Sequence, residues 1–118
     1  MEPKNVIQAS TREELRNWFE ANHSSCKEMW VRTNRGKHQI DGTISYVDSV
    51  MEALCFGWID STVKKVDDGF PLQRFTPRRN GSHWTEINRE RCRQLIADGR
   101  MTEYGMIEYE KSYEQKTE

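Results

Sequence analysis

The sequence predicts an α+β domain, a small sheet of about three strands that includes a β-hairpin and packs on about four helices. Several segments place apolar residues at helical spacing behind capping residues. Two β-rich runs, 56–66 and 70–76, flank Asp67-Asp68-Gly69, and an Asp-Gly pair between such runs is a strong hairpin signal. At 118 residues, with no internal repeat or linker, the chain reads as a single domain. Its core should span about residues 10–111, with frayed termini.

Taken in order, Ser10 and Glu13 form a capping box, and Leu15, Trp18 and Phe19 carry a helix to Asn22. Glu28 to Thr33 alternates, with Met29 and Val31 on one side and Trp30 on the other, and reads as a strand. Asn34 to Gly42 is a loop with a basic tip at Arg35, Lys37 and His38. Ser45 and Asp48 open a second helix with an apolar stripe of Tyr46, Val47, Val50, Met51 and Leu54, ended by Gly57. The hairpin follows, and Pro77 stops its second strand because it has no N–H to donate.

Gly81 marks a turn, and Ser82 or His83 is read as the N-cap of a helix through Trp84, Ile87, Asn88, Arg91, Leu95 and Ile96, with Gly99 at its C′ position. Thr102 caps a last helix through Tyr104 and Ile107. The expected core is Leu15, Trp18, Val31, Tyr46, Val50, Leu54, Ile59, Phe75, Ile87 and Leu95.

Charged residues make up 31% of the chain but the net charge is −1, so no global field selects nucleic acid, a membrane or an acidic partner. The distribution is uneven: Arg74 to Arg100 holds seven arginines against Glu86, Glu90 and Asp98. Cys26, Cys55 and Cys92 are odd in number and share no short ligand spacing, which argues for buried free thiols over a disulfide framework or a zinc site. No metal-ligand cluster, phosphate-loop glycine pattern or nucleophile motif is present, so the reading includes no cofactor, no metal and no assigned catalytic residue. The start MEPKNVIQ lacks a signal peptide's apolar stretch and no segment is long enough to span a bilayer, giving a cytoplasmic protein without membrane insertion.

The chemistry concentrates between Cys55 and Trp84. If Val66 pairs with Phe70 across the turn, Asp60 faces Thr76 and lies diagonal to Arg74 and Arg78, with Trp58 on the same face. Asp60 is then a structural ion pair fixing the hairpin or, less favoured, an orienting carboxylate or general base. Arg78, Arg79, Asn80 and Ser82 precede the helix that carries Trp84 and Asn88. With Arg74 they form the candidate ligand-binding set, their side chains and the helix's free N–H groups converging on one anion. Trp58 and Trp84 offer either stacking faces or core. Cys55 could act as a nucleophile only with a base beside it, and nothing places His23, His38 or His83 there.

Through the blocks TREELRNWFEANH, ISYVDSVMEALCFGWIDS, RFTPRRNGSHWTEIN and LIADGRMTEYG the chain, from about Ser10 to Lys111, resembles the YdeI/OmpD-associated (OmdA-like) family, also called bacteriocin-protection proteins. The resemblance implies an association with an outer-membrane porin and with resistance to cationic peptides, and no established reaction. Members of that family often continue beyond the GRM block, so a truncated chain and a short member both fit.

Three function classes stay open. A binding module would recognise an anionic group through Arg78 and Arg79, on a protein, a metabolite or, less favoured, nucleic acid. An enzyme would use Asp60 or Cys55 in a pocket at the hairpin. A protein-partner module would serve stress resistance, as the resemblance implies. The first, overlapping with the third, is preferred, with the oligomeric state open.

Overall fold

A computed structural model of the chain describes residues 2–36, 40–66 and 69–114, and the expected basic tip at Lys37 and His38 and the turn residues Asp67 and Asp68 lie outside them. The fold is α+β, with four helices and a mixed sheet of five strands. In chain order the elements are β1 (Val6–Ile7), α1 (Arg12–Asn22), β2 (Met29–Asn34), β3 (Ile44–Ser45), α2 (Tyr46–Cys55), β4 (Trp58–Lys64), β5 (Leu72–Pro77), α3 (Glu86–Ala97) and α4 (Glu103–Glu114). The antiparallel β2-β5-β4 unit holds the three strands that alternation predicts. The other two, β1 and β3, are two-residue strands parallel to β2, too short to show any period.

Caps fix the helix starts. Thr11, not Ser10, caps α1: its Oγ1 accepts from Glu14 N at 3.1 Å while Glu14 Oε1 accepts from Ser10 N at 2.7 Å, so the box sits one residue later than expected. Ser45 caps α2 by accepting from Asp48 N. The cap of α3 is Thr85, so the helix starts at Glu86 and Trp84 lies outside it, contrary to expectation. Gly99, with φ 74°, ends α3 in a Schellman motif in which Gly99 N donates to Ile96 O and Arg100 N to Leu95 O.

Inward-facing Met29, Val31, Trp58 and Phe75 meet Leu15, Phe19, Val50, Ala53, Leu54, Cys92 and Leu95 in one core. Trp18 and Tyr46 are half-buried at its edge. Two expected members are displaced. Ile87 is 64% exposed, because it stands about 80° around the helix from the buried Leu95. Ile59 pairs with Thr76 on the opposite face of the sheet.

A bulge explains the second displacement. Val63 pairs with Gln73 and Lys64 with Leu72, the register expected from the turn, but Asp60 pairs with Phe75, so Ser61 and Thr62 together oppose Arg74. The extra residue turns Trp58 and Asp60 towards the helices. Buried Gln73 satisfies the irregular backbone, its Nε2 donating to the carbonyls of Ser61, Thr62 and Arg74 at 3.2–3.3 Å.

The helices are tied by a group that periodicity assigns to a solvent face. Glu52, in the last turn of α2, is 0% exposed. Its Oε2 accepts from Arg12 Nε at 2.6 Å and Arg100 Nη2 at 3.0 Å, and its Oε1 from Arg16 Nη1 at 3.1 Å. Removing one partner from a buried ion cluster strands the remaining charges, so Glu52→Gln should lower the unfolding free energy by about 3–5 kcal/mol in urea denaturation. A loss below about 1 kcal/mol would show that the cluster behaves as a solvated surface group.

Candidate functional site

The outer face of the sheet, opposite the helices, carries Ile59, Arg74 and Thr76, and the chain leaving β5 folds a turn beside it. In that turn Ser82 N donates to Arg79 O at 3.1 Å, and Gly81 takes φ 78°, a conformation glycine adopts without strain. Between sheet face and turn lies a cleft of about 760 Å³, within the size range of small-molecule sites. Among the described residues its cationic lining is Lys27, Arg74, Arg78 and Arg79, and its single carboxylate is Glu28.

Arg78 is the buried member, 7% exposed. Its guanidinium stacks 3.8 Å over the Trp84 ring, and Nη1 donates to Ser82 Oγ at 3.1 Å and His83 O at 3.2 Å. Nε and Nη2 are buried with no hydrogen-bond partner, and no carboxylate stands within ion-pair reach among the described residues. Burial pulls its pKa down to about 10, against smaller opposing effects of Cys92, Glu108 and Asp60, so the group stays charged at neutral pH.

Arg74 is differently occupied: Nη2 donates to Glu28 Oε1 at 3.0 Å. Glu28 also accepts from Trp30 Nε1 at 2.8 Å and Lys4 N at 3.1 Å, and these bonds, Trp30's first and Arg74's next, hold its carboxyl down at about 2. Arg79 and Lys27 are exposed, and their side chains have no hydrogen-bond or ion-pair partner among the described residues.

Arg74, Arg78, Arg79, Asn80 and Ser82 thus come together as the sequence groups them. Trp84 and Asn88 do not line the cleft. Trp84 is 6% exposed, with Arg78 on its face and the Tyr109 ring set edge to face, the two ring centres 6.4 Å apart. Asn88 accepts from Arg91 Nη1 within α3. Because α3 begins at Glu86, its free N–H groups are not part of the lining. Trp58 is core, meeting Trp18 and Phe19 edge to face. Neither tryptophan offers a free stacking face.

The expected Asp60 ion pair with Arg74 or Arg78 is overturned. The bulge moves Asp60 to the inner face, where Oδ2 accepts from Tyr46 Oη at 2.6 Å, while Arg74 pairs with Glu28. Burial, then this bond, raises the Tyr46 pKa. Cys55 is 0% exposed, and burial pushes its thiol up, away from the thiolate a nucleophile needs. Lys27 and Glu28 are the charged members that sequence reasoning missed. Their signal was weak, a lysine and a glutamate before a strand, because only the pairing of Trp30 with Arg74 brings them to the cleft.

No helix among the described residues is long and apolar enough to cross a membrane. A family model described as a domain of unknown function (DUF8412) matches residues 7–108. No curated protein and no solved structure matches the chain.

The low pKa of Glu28 has a definite sign. Its contribution to stability is complete above about pH 4.5, the ordinary glutamate value, and disappears as pH falls towards about 2. In acid titrations followed by circular dichroism, Glu28→Gln should be less stable than the parent above pH 4.5, and the difference should vanish near pH 2. A difference that persists unchanged to pH 2 would sink the assignment.

Proposed function

The chain belongs to the DUF8412 family, and from its geometry we propose that it is a small binding and regulatory module that recognises an anionic group in the cleft between β5 and the Arg79–Ser82 turn. One observation carries this reading: four cationic side chains line the cleft against one carboxylate, and that carboxylate is already engaged by Arg74. Of the seven arginines between Arg74 and Arg100, Arg74, Arg89, Arg93 and Arg100 have glutamate partners. Arg78 and Arg79 lack carboxylate partners among the described residues, and both stand at the cleft. In a chain of net charge −1 the attraction is local.

The blocks that resemble the YdeI/OmdA family support a setting in stress resistance, and three free cysteines fit a cytoplasmic location. A cationic peptide would be repelled by this cleft, so a resistance role would run through an anionic partner. An enzyme is the less favoured reading. The cleft's carboxylate has a lowered pKa, Asp60 lies on the other face of the sheet and the Cys55 thiol is buried.

In a titration with inorganic phosphate followed by NMR, amides of Lys27, Glu28 and Arg79 to Ser82 should shift first. The Lys27→Ala, Arg79→Ala double variant, altered only at exposed positions, should keep its fold and lose the response. Shifts centred on Arg35 and its neighbours, or a double variant that responds as before, would return this surface to a protein-partner role.

A further inference from the structure

Resting on that reading of the cleft, we infer that its ligand is a compact phosphate-bearing small molecule, a phosphomonoester whose phosphate is held between Lys27 and Arg79 with no aromatic ring stacked. Three features of the lining separate this class from other anions.

The first is charge. Lys27, Arg78 and Arg79 have no carboxylate partner among the described residues, so the site presents a surplus suited to a dianion. A phosphomonoester carries about −1.5 to −2 at neutral pH and offers three acceptor oxygens, where a carboxylate carries one charge and two oxygens.

The second is donor character. Besides the cations, Thr76, Ser82 and Asn80 line the cleft with groups able to donate, and the one carboxylate among the described lining is turned to Arg74, Trp30 and Lys4. An ammonium or a zwitterion finds no free carboxylate among the described lining, whereas an oxygen-rich anion finds donors on several sides.

The third is the lack of a stacking platform. The lining contains no aromatic residue among the described residues, the Trp84 face is taken by Arg78 and Trp58 is buried in the core. Base stacking supplies much of the affinity of single-strand binders, so a nucleobase gains little here. Ile59 and Pro77 supply apolar surface to a saturated carbon skeleton. A volume of about 760 Å³ exceeds what bare phosphate fills, which leaves room for the esterified part.

The test compares four probes on the full chain by calorimetry and NMR, with sulfate as a control for pH: ribose 5-phosphate, adenosine monophosphate, succinate and an oligothymidylate. Ribose 5-phosphate should shift Lys27, Glu28 and Arg79 to Ser82, and adenosine monophosphate should match its affinity within about threefold, because the base finds no ring. Succinate should bind at least about tenfold more weakly, and Lys27→Ala and Arg79→Ala should each weaken ribose 5-phosphate about tenfold, the scale of one charge-assisted hydrogen bond. Ribose 5-phosphate affinity should rise through about pH 6 as the dianion forms. Sulfate, a dianion throughout, should stay flat and so exclude a histidine as the cause.

Succinate binding as tightly as the ester, or no rise through pH 6, overturns the phosphomonoester while anion recognition stands. Tighter oligothymidylate binding with tryptophan quenching moves the ligand to single-stranded nucleic acid. Silence of the cleft amides to all four probes overturns both the class and the anion reading beneath it.

Discussion

One buried carboxylate orders the helical layer. Glu52 sits in the last turn of α2, where the helix dipole disfavours a negative charge, and it is wholly removed from water. Such a position is tolerable only with close cationic partners, and three guanidiniums supply them, Arg12 and Arg16 from α1 and Arg100 from the Schellman turn that ends α3. Arg16 also donates from Nη2 to the Arg100 carbonyl at 2.9 Å, which fixes the turn itself. That turn delivers Thr102 to the end of α2, where its N–H and hydroxyl both donate to the Cys55 carbonyl. Orphan acceptors at one helix end thus meet the cap of the next helix, and Gly105 lets α4 approach the Leu54 and Cys55 carbonyls more closely than a side chain would permit.

With the helices packed on the inner face of the sheet, the outer face at Ile59, Arg74 and Thr76 is left to form a site. The bulge in β4 decides which residues go where. Without it Asp60 would lie among the arginines, neutralising part of the charge that gives the cleft its character. With it Asp60 accepts a bond from Tyr46 beneath the sheet, and Ile59 turns to the cleft. A single inserted residue therefore places Asp60 and Arg74 on opposite faces of the sheet.

Much of this was legible in the chain. Helical spacing located α1 and α2, the Ser45 cap was read correctly, and the Asp-Gly pair set the hairpin register correctly at Val63 and Lys64. The bulge was not legible, because Ser61-Thr62 carries no glycine or proline to mark it and its stabiliser, Gln73, reads as an ordinary polar position. Glu52 was invisible for the opposite reason: a glutamate four residues after Asp48 looks like a solvent-facing charge until three distant arginines are folded onto it. The clustering of Arg74, Arg78 and Arg79 was legible as composition, but Lys27 and Glu28 needed β2 to pair with β5.

The choice of arginine at position 78 follows from the same electrostatics. Burial brings its pKa down to about 10, and no carboxylate within ion-pair reach offsets that among the described residues. A lysine starts from a lower intrinsic pKa, so the same burial would bring its ammonium nearer to neutral pH than a guanidinium. The planar guanidinium can also lie on the Trp84 ring while Nη1 reaches Ser82 Oγ and the His83 carbonyl, a combination that a point-like ammonium on a flexible stem holds less well. Arginine is therefore the side chain suited to keeping a fixed positive charge at the base of this turn, and the exposed Arg79 and Lys27 extend that field into the cleft.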